Sequence, residues 1–389
     1  MSRAVAVTGV GVVSAFGLGV EPFWNGLTAG RTGCAGARRV EAPGVLVAEV
    51  NGLEARDFVR SPQGRRIDRT SLLALAAARL ALDDAGLAPE RLDPAATALG
   101  VGSAFGNVQE TETFLDRILE RGTGNPLLFP NLVMNAPLSY ATIELGVTGP
   151  TAMVTEQEAS GEAAIAWGVR QIADGAAAVC LAGGSDELTS GLVRLRRETR
   201  TASAGPPRPL DPAADGPCLG EGAAVLVLES MARARTRGAR VYARIVPHDG
   251  AGFPSPLHAW PRDGRALARI LAPLLVGADA VVAAASGNPF LDAVEAEALA
   301  LASAGRRVPV TAPRGATGDF GAAGALAVAA AVLAIHQGIV PPTAGCRLPA
   351  RHDLDVVVGA PRRAALRAVV VDGLARGGMC RPLRLEAAG

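Results

Sequence analysis

The chain has 389 residues, 49% of them hydrophobic, and a formal net charge of +1 at pH 7. That is enough apolar side chain for a large core, and the interspersed charges leave no electrostatic footprint for nucleic acid or an anionic membrane surface. All 38 basic residues are arginine, which excludes Schiff-base, pyridoxal phosphate and P-loop chemistry that depends on lysine.

The chain opens on an apolar segment interrupted by Gly9, Gly11 and Gly17, which reads as a first core strand. Gly9-Val10-Gly11 is expected at a strand-end turn, because the third glycine of a dinucleotide loop would fall on Ser14. Asp68-Arg69 leads a long helix that runs to Gly86. Further on, Val108, Thr111 and Leu115 share one face of a helix.

At Val154-Thr155-Glu156-Gln157-Glu158-Ala159-Ser160-Gly161 a short apolar run turns abruptly into an Ala-rich helix. An enzyme would present its nucleophile at such an elbow, yet this chain presents Glu158. The positive end of the helix favours an anion, so Glu158 is expected to be ionised. A carboxylate that took an acyl group would form an anhydride that water cleaves quickly, which argues against covalent holding of a substrate.

The near-continuous apolar strands Ala177–Ala182, Ala223–Glu229 and Val369–Val371 are expected in sheets covered on both faces. An arginine-rich helix and turn, Met231 to Gly238, divides the chain into an N-terminal half, 1–235, and a C-terminal half, 236–389. Thr155–Asp174 and Thr317–Gly338 share an outline of Gly-bearing turn and Ala-rich helix, which fits a duplicated unit. The longest apolar run, Ala322–Ile335, is too short to span a bilayer and reads as a buried helix.

Cys34, Cys180, Cys218, Cys346 and Cys380 are odd in number and widely spaced. Without a Cys-x-x-Cys pair they are expected to be reduced thiols of a cytoplasmic protein. His248, His258, His336 and His352 make no ligand pattern with each other or with the cysteines, so no metal site is expected.

Residues 3–33, the Asp68–Gly86 helix, and Arg208-Pro209-Leu210-Asp211 through Leu219-Gly220-Glu221-Gly222 resemble β-ketoacyl-carrier-protein synthases, and the likeness covers nearly the whole chain. The resemblance implies a thiolase-like α/β fold, layered α-β-α-β-α with two pseudo-twofold halves. Counting from Gly149-Pro150 places Glu158 on the family's nucleophilic cysteine, with Gln157 the nearest rival for that seat. Ala284 falls where the first catalytic histidine belongs, ahead of an intact Asp292-Ala293-Val294-Glu295-Ala296 helix. The turn of the second histidine reads Arg314-Gly315-Ala316-Thr317-Gly318-Asp319, with Asp319 in the histidine's place. Arg376 stands at the gating phenylalanine of the loop Leu374–Cys380.

Condensation needs a thiolate, imidazole donors and an oxyanion hole. Their joint loss inside a preserved frame is similar to the chain length factor, or ketosynthase β subunit, of type II polyketide synthases. Glu156-Gln157 and Gly287-Asn288-Pro289-Phe290-Leu291-Asp292 match motifs of those subunits. The resemblance implies a heterodimer with an active ketosynthase α subunit, and an acyl carrier protein that brings the polyketide chain on phosphopantetheine. This chain then needs no cofactor of its own. Aligned on Arg121-Gly122, the gating positions of the substrate tunnel are Val108, Thr111 and Leu115, whose other reading is an ordinary core stripe. Phe129, Met134 and Asn135 fall in the segment expected near the partner.

Within the vestigial pocket, the preferred reading of Glu158, Asp319 and Arg376 is a structural Glu158–Arg376 or Asp319–Arg376 ion pair. A Glu158–Asp319 carboxylate pair for acid/base work is the alternative. Other functional readings are a malonyl-carrier-protein decarboxylase that primes synthesis, an enzyme using a displaced cysteine such as Cys380 or Cys218, and a scaffold that only stabilises its partner.

Overall fold

Two runs of strands and helices repeat one pattern along the chain. The computed structural model describes residues 5–256, 259–260 and 262–388; His258 lies outside the described residues. The first run comprises β1 (Val5–Ser14), α1 (Arg69–Asp84), β2 (Thr97–Gly102), α2 (Val108–Arg121), α3 (Ala136–Leu145), β3 (Thr151–Val154), α4 (Ser160–Ala173), β4 (Val179–Asp186) and β5 (Gly222–Ser230). The second comprises β6 (Ala243–Val246), α5 (Gly264–Leu275), β7 (Ala280–Val282), α6 (Pro289–Ala302), β8 (Pro309–Thr311), α7 (Ala323–Gln337), β9 (Ala368–Val371) and β10 (Leu383–Glu386).

Pairing follows the same order in each run, β1-β5-β4-β2-β3 and β6-β10-β9-β7-β8. In both, the first two contacts are antiparallel and the next two parallel. The half-sheets meet edge to edge, where Val5–Val7 of β1 pairs antiparallel with Ala243–Ile245 of β6. This matching order is the pseudo-twofold relation expected of a thiolase-like fold.

Three apolar clusters define the layers. Leu72, Leu73 and Leu75 of α1 and Leu138 and Leu145 of α3 cover one face of the first half-sheet. The helices α4 and α7 fill the space between the half-sheets, and α5 and α6 cover the outer face of the second. The result is α-β-α-β-α. Strands bounded by helices on both sides have no solvated face, so β1, β4 and β9 are buried at every position.

The central helix α7 is buried from Ala323 to Ile335, as its apolar run predicted. Close approach requires its small residues: a Cβ added to Gly161 of α4 would lie 2.6 Å from the Ala325 backbone nitrogen. Gly9 and Gly11 serve the same need. They lie within β1 and not at a turn after it, because α1 presses there; a Cβ on Gly11 would sit 1.9 Å from the Ala77 carbonyl oxygen. No helix among the described residues is long and apolar enough to cross a membrane.

The cysteine expectation is corrected. Cys34 and Cys218, 184 positions apart, form a disulfide. Their spacing in sequence hides the proximity, which arises because Val47–Ala48 pairs in parallel with Leu219–Gly220 beside them. Cys180, Cys346 and Cys380 are free and buried.

Candidate functional site

Four loops leave the C-terminal ends of the parallel strands β3, β7, β8 and β9, the end of an open α/β sheet where ligands bind. Glu158 lies on the first, Ala284 on the second, Arg314 and Asp319 on the third, and Asp372 and Arg376 on the fourth.

At the elbow, Gln157 takes φ 53°, a left-handed conformation that costs a non-glycine residue free energy and aims the chain sharply into α4. Ser160 braces it: its Oγ accepts from the Glu156 amide at 2.9 Å and donates to the Gln157 carbonyl at 2.6 Å. The carboxylates either side of Gln157 are each held by an arginine from the C-terminal segment. Arg376 donates to Glu158 through Nε at 2.7 Å, Nη2 at 2.6 Å and its own backbone amide at 3.1 Å. Arg381 donates to Glu156 through Nε and through Nη2, the latter at 2.6 Å. Glu158 is buried, so the elbow is filled by a paired carboxylate.

Asp319 does not pair with Arg376, whose guanidinium is taken by Glu158. Its partner is Arg314, at 3.1 Å, and Arg314 also donates to the Glu158 carbonyl at 3.3 Å. Arg314 is 1% exposed. Burial works to lower its pKa, but the carboxylates of Asp319, Glu162, Glu158 and Glu295 outweigh it and the net shift is upward. Burial raises the Asp319 pKa even against the pull of Arg314. Because Glu158 and Asp319 each have an arginine, the pair is charge-compensated, unlike two facing carboxylates that share a proton for acid/base work.

Position 284 contributes only a methyl group. The Ala284 amide donates to Glu295 Oε1 at 2.6 Å and to Asp372 Oδ1 at 2.9 Å. Both acids are wholly buried, and burial, followed by Asp372 beside it, drives the Glu295 pKa well above the ordinary carboxylate range. Asp292, at the intact helix start, ties loops together: its carboxylate accepts from the amides of Leu210, Ser286 and Gly287 at 2.8, 3.1 and 3.1 Å.

Neither displaced cysteine is a nucleophile in waiting. Cys218 is in the disulfide, and burial together with Asp372, Glu162 and Glu295 pushes the Cys380 thiol far above its ordinary pKa. His336 packs edge-on to Tyr242 with ring centroids 4.8 Å apart, His248 follows β6 beside Arg170, and His352 is exposed. Among the described residues no group of three or more His, Cys, Asp or Glu could hold a metal ion.

The three positions expected to gate a tunnel lie on α2, outside these four loops. Val108 is half-buried, Thr111 is exposed with its hydroxyl bonded to the Asn107 carbonyl, and Leu115 is 51% exposed. α2 has no buried residue, which excludes an ordinary core stripe within this chain. Leu115 lines a groove of about 570 Å³ with Glu112, Leu119, Arg194 and Arg197. Ile118 of α2, Leu127, Phe129, Val133 and Met134 after it and Ile143 of α3 are exposed as well. The neighbouring strand β3 is the free edge of its half-sheet.

Residues 2–234 match the β-ketoacyl synthase N-terminal domain and residues 262–347 its C-terminal domain. The chain belongs to the β-ketoacyl synthase family. Within that family it is 34% identical to the granaticin polyketide β-ketoacyl synthase 2 of Streptomyces violaceoruber, over 96% of this chain and 94% of that protein. It is 31% identical to the tetracenomycin ketoacyl synthase α subunit of Streptomyces glaucescens, over 97% of this chain and 95% of the relative. Among solved structures, the ishigamide ketosynthase/chain length factor superposes with a TM-score of 0.93 at 28% identity, covering 100% of both chains.

Of the positions taken from motifs, the structure joins Glu158 to Arg376 in an ion pair and links Asp319 to Glu158 through Arg314. Sequence reasoning missed Arg314 and Arg381 as arginines of the site. The signal for Arg314 was present: a cation is kept where the family's turn carries lysine.

Proposed function

We propose that this chain is the non-condensing β subunit, or chain length factor, of a type II polyketide synthase ketosynthase, pairing with a condensing α subunit and shaping the tunnel that limits the polyketide. The observation that carries this reading is the Glu158–Arg376 ion pair at the elbow, the position that the resemblance gives to the family's nucleophile. Ala284 and the Arg314–Asp319 pair support it, since neither offers an imidazole to an enolate. The free edge of β3 and the exposed apolar side chains of α2, α3 and the segment between them supply a surface suited to a partner. On this reading Val108, Thr111 and Leu115 face the growing chain at that interface, and phosphopantetheine arrives on the acyl carrier protein. The test is co-expression with the cognate ketosynthase and carrier protein, reading carrier-bound products by mass. Leu115→Trp shortens the product, whereas an unchanged product from an intact complex would leave only a scaffold.

A second reading, malonyl-carrier-protein decarboxylation, is kept open by one observation. Gln157 holds the strained left-handed position at the elbow, between two arginine-held carboxylates. Release of acetyl-carrier protein that Gln157→Ala abolishes and Glu158→Ala does not would favour it.

A further inference from the structure

The Cys34–Cys218 disulfide lies directly beneath the turn that carries Asp319. Gly33, just before the first half-cystine, donates its amide to the Ala316 carbonyl at 2.7 Å. The Cys218 carbonyl accepts from the Asp319 amide at 2.7 Å, and the Gly220 amide returns to the Asp319 carbonyl at 3.1 Å. Both sides of the cross-link therefore hold the same turn, Ala316 to Asp319, by its backbone. The cradle is tight, since a Cβ added to Gly318 would stand 2.9 Å from the Gly220 Cα. Above the turn, Asp319 meets the buried Arg314, which reaches the Glu158 carbonyl at the elbow. The two half-cystines, both buried, differ in exposure: residue Cys34 keeps 8% of its surface open and Cys218 only 1%.

We propose that Cys34–Cys218 is a reversible redox staple that fixes the Ala316–Asp319 turn, with Cys34 as the sulfur at which exchange begins. Starting from the reduced chain, the Cys34 thiolate attacks a low-molecular-weight disulfide such as oxidised glutathione, forming a mixed disulfide and expelling one small thiolate. Cys218, deprotonated, then attacks the Cys34 sulfur and expels the second. Two protein thiols are oxidised, one external disulfide is reduced to two thiols, and the protons leave with them. A small dithiol reverses the sequence, attacking at Cys34 because its partner is shielded. Sequence separation makes the bond effective, since a cross-link that closes a long loop removes more freedom from the unfolded chain. The inference does not depend on the subunit's role in polyketide synthesis.

Thiol counting and backbone exchange test it on the full chain. Protein purified without reductant, unfolded and treated with iodoacetamide, takes up label at Cys180, Cys346 and Cys380 alone. Reduction with dithiothreitol exposes all five cysteines, and oxidised glutathione restores the first pattern. In the folded protein, reduction speeds hydrogen exchange at the Asp319 and Gly220 amides by roughly tenfold or more, while amides within α7 stay protected. Cys34→Ser reproduces the faster exchange without reductant, and if that variant does not fold, the reduced wild-type chain gives the same reading. Five labelled cysteines before reduction, or failure of oxidised glutathione to close the bond, overturns the proposal. So does unchanged exchange at Asp319 once the bond is open.

Discussion

Arg376 reaches across 218 positions of sequence to place two guanidinium nitrogens and its own amide on the carboxylate of Glu158. The C-terminal segment around Arg376 is thereby latched onto the elbow, and the Arg381–Glu156 pair latches it a second time. Gln157, at the strained position, lies between the two latches.

Removing one partner of the first latch strands the other. Glu158 is 4% exposed, so Arg376→Ala leaves a buried carboxylate unpaired. Arg376 itself keeps 20% of its side chain exposed, which places the expected loss at about 2–3 kcal/mol, below the full cost of breaking a buried pair. Urea unfolding measures it. The double variant Glu158→Ala/Arg376→Ala recovers part of the loss, because no lone charge remains.

Stability falls as pH rises across neutrality. Burial, opposed chiefly by Arg314, pushes the Glu162 pKa from 4.5 up to about 7, and burial, opposed by the Gln109 amide, takes Glu187 to about 8. The folded chain holds these protons over a range where the unfolded chain has released them. Their contribution is therefore complete below about pH 4.5 and disappears as pH climbs through 7 and 8. Glu162→Gln flattens this slope and raises stability at pH 8 by on the order of 1–3 kcal/mol. Chemical denaturation at pH 5.5, 7 and 8.5 reads both effects.

The contact between the central helices tolerates no side chain on one partner. Gly161→Val destabilises by about 2–3 kcal/mol through overpacking against Ala325, whereas a glycine in open space without a left-handed backbone, such as Gly36, accepts alanine at far smaller cost. Thermal unfolding of the two variants separates the effects.

A thiol placed at the elbow tests whether position 158 is a nucleophile seat. Glu158→Cys accepts an acyl group from an acyl-carrier protein and extends nothing, because position 284 has no imidazole and Asp319 is held by Arg314. Gln157→Cys, on the strained residue behind the latch, stays unacylated. Intact-mass measurement distinguishes the two variants.

The parts of the centre that motifs announce were legible in the sequence. The flanks of Glu158, Ala284, Asp319 and Arg376 are intact, so counting along the chain finds them, and the Ala-rich runs at 160–173 and 323–337 foretold the helices packed between half-sheets. Features made by chain closure were not. Arg314 to Glu158, Arg381 to Glu156 and Cys34 to Cys218 bring together residues 156, 225 and 184 positions apart. No local pattern encodes such meetings. Gly9 and Gly11 suggest a turn in sequence because a close helix on a strand demands the same glycines that a turn does.

The most direct measurement is intact-mass analysis of this chain and its proposed ketosynthase partner while the two together turn over malonyl-carrier protein. The account predicts polyketide intermediates on the ketosynthase partner and this chain at its unmodified mass throughout. An acyl group found covalently on this chain, or extension of an acyl chain by this protein without its partner, would contradict it.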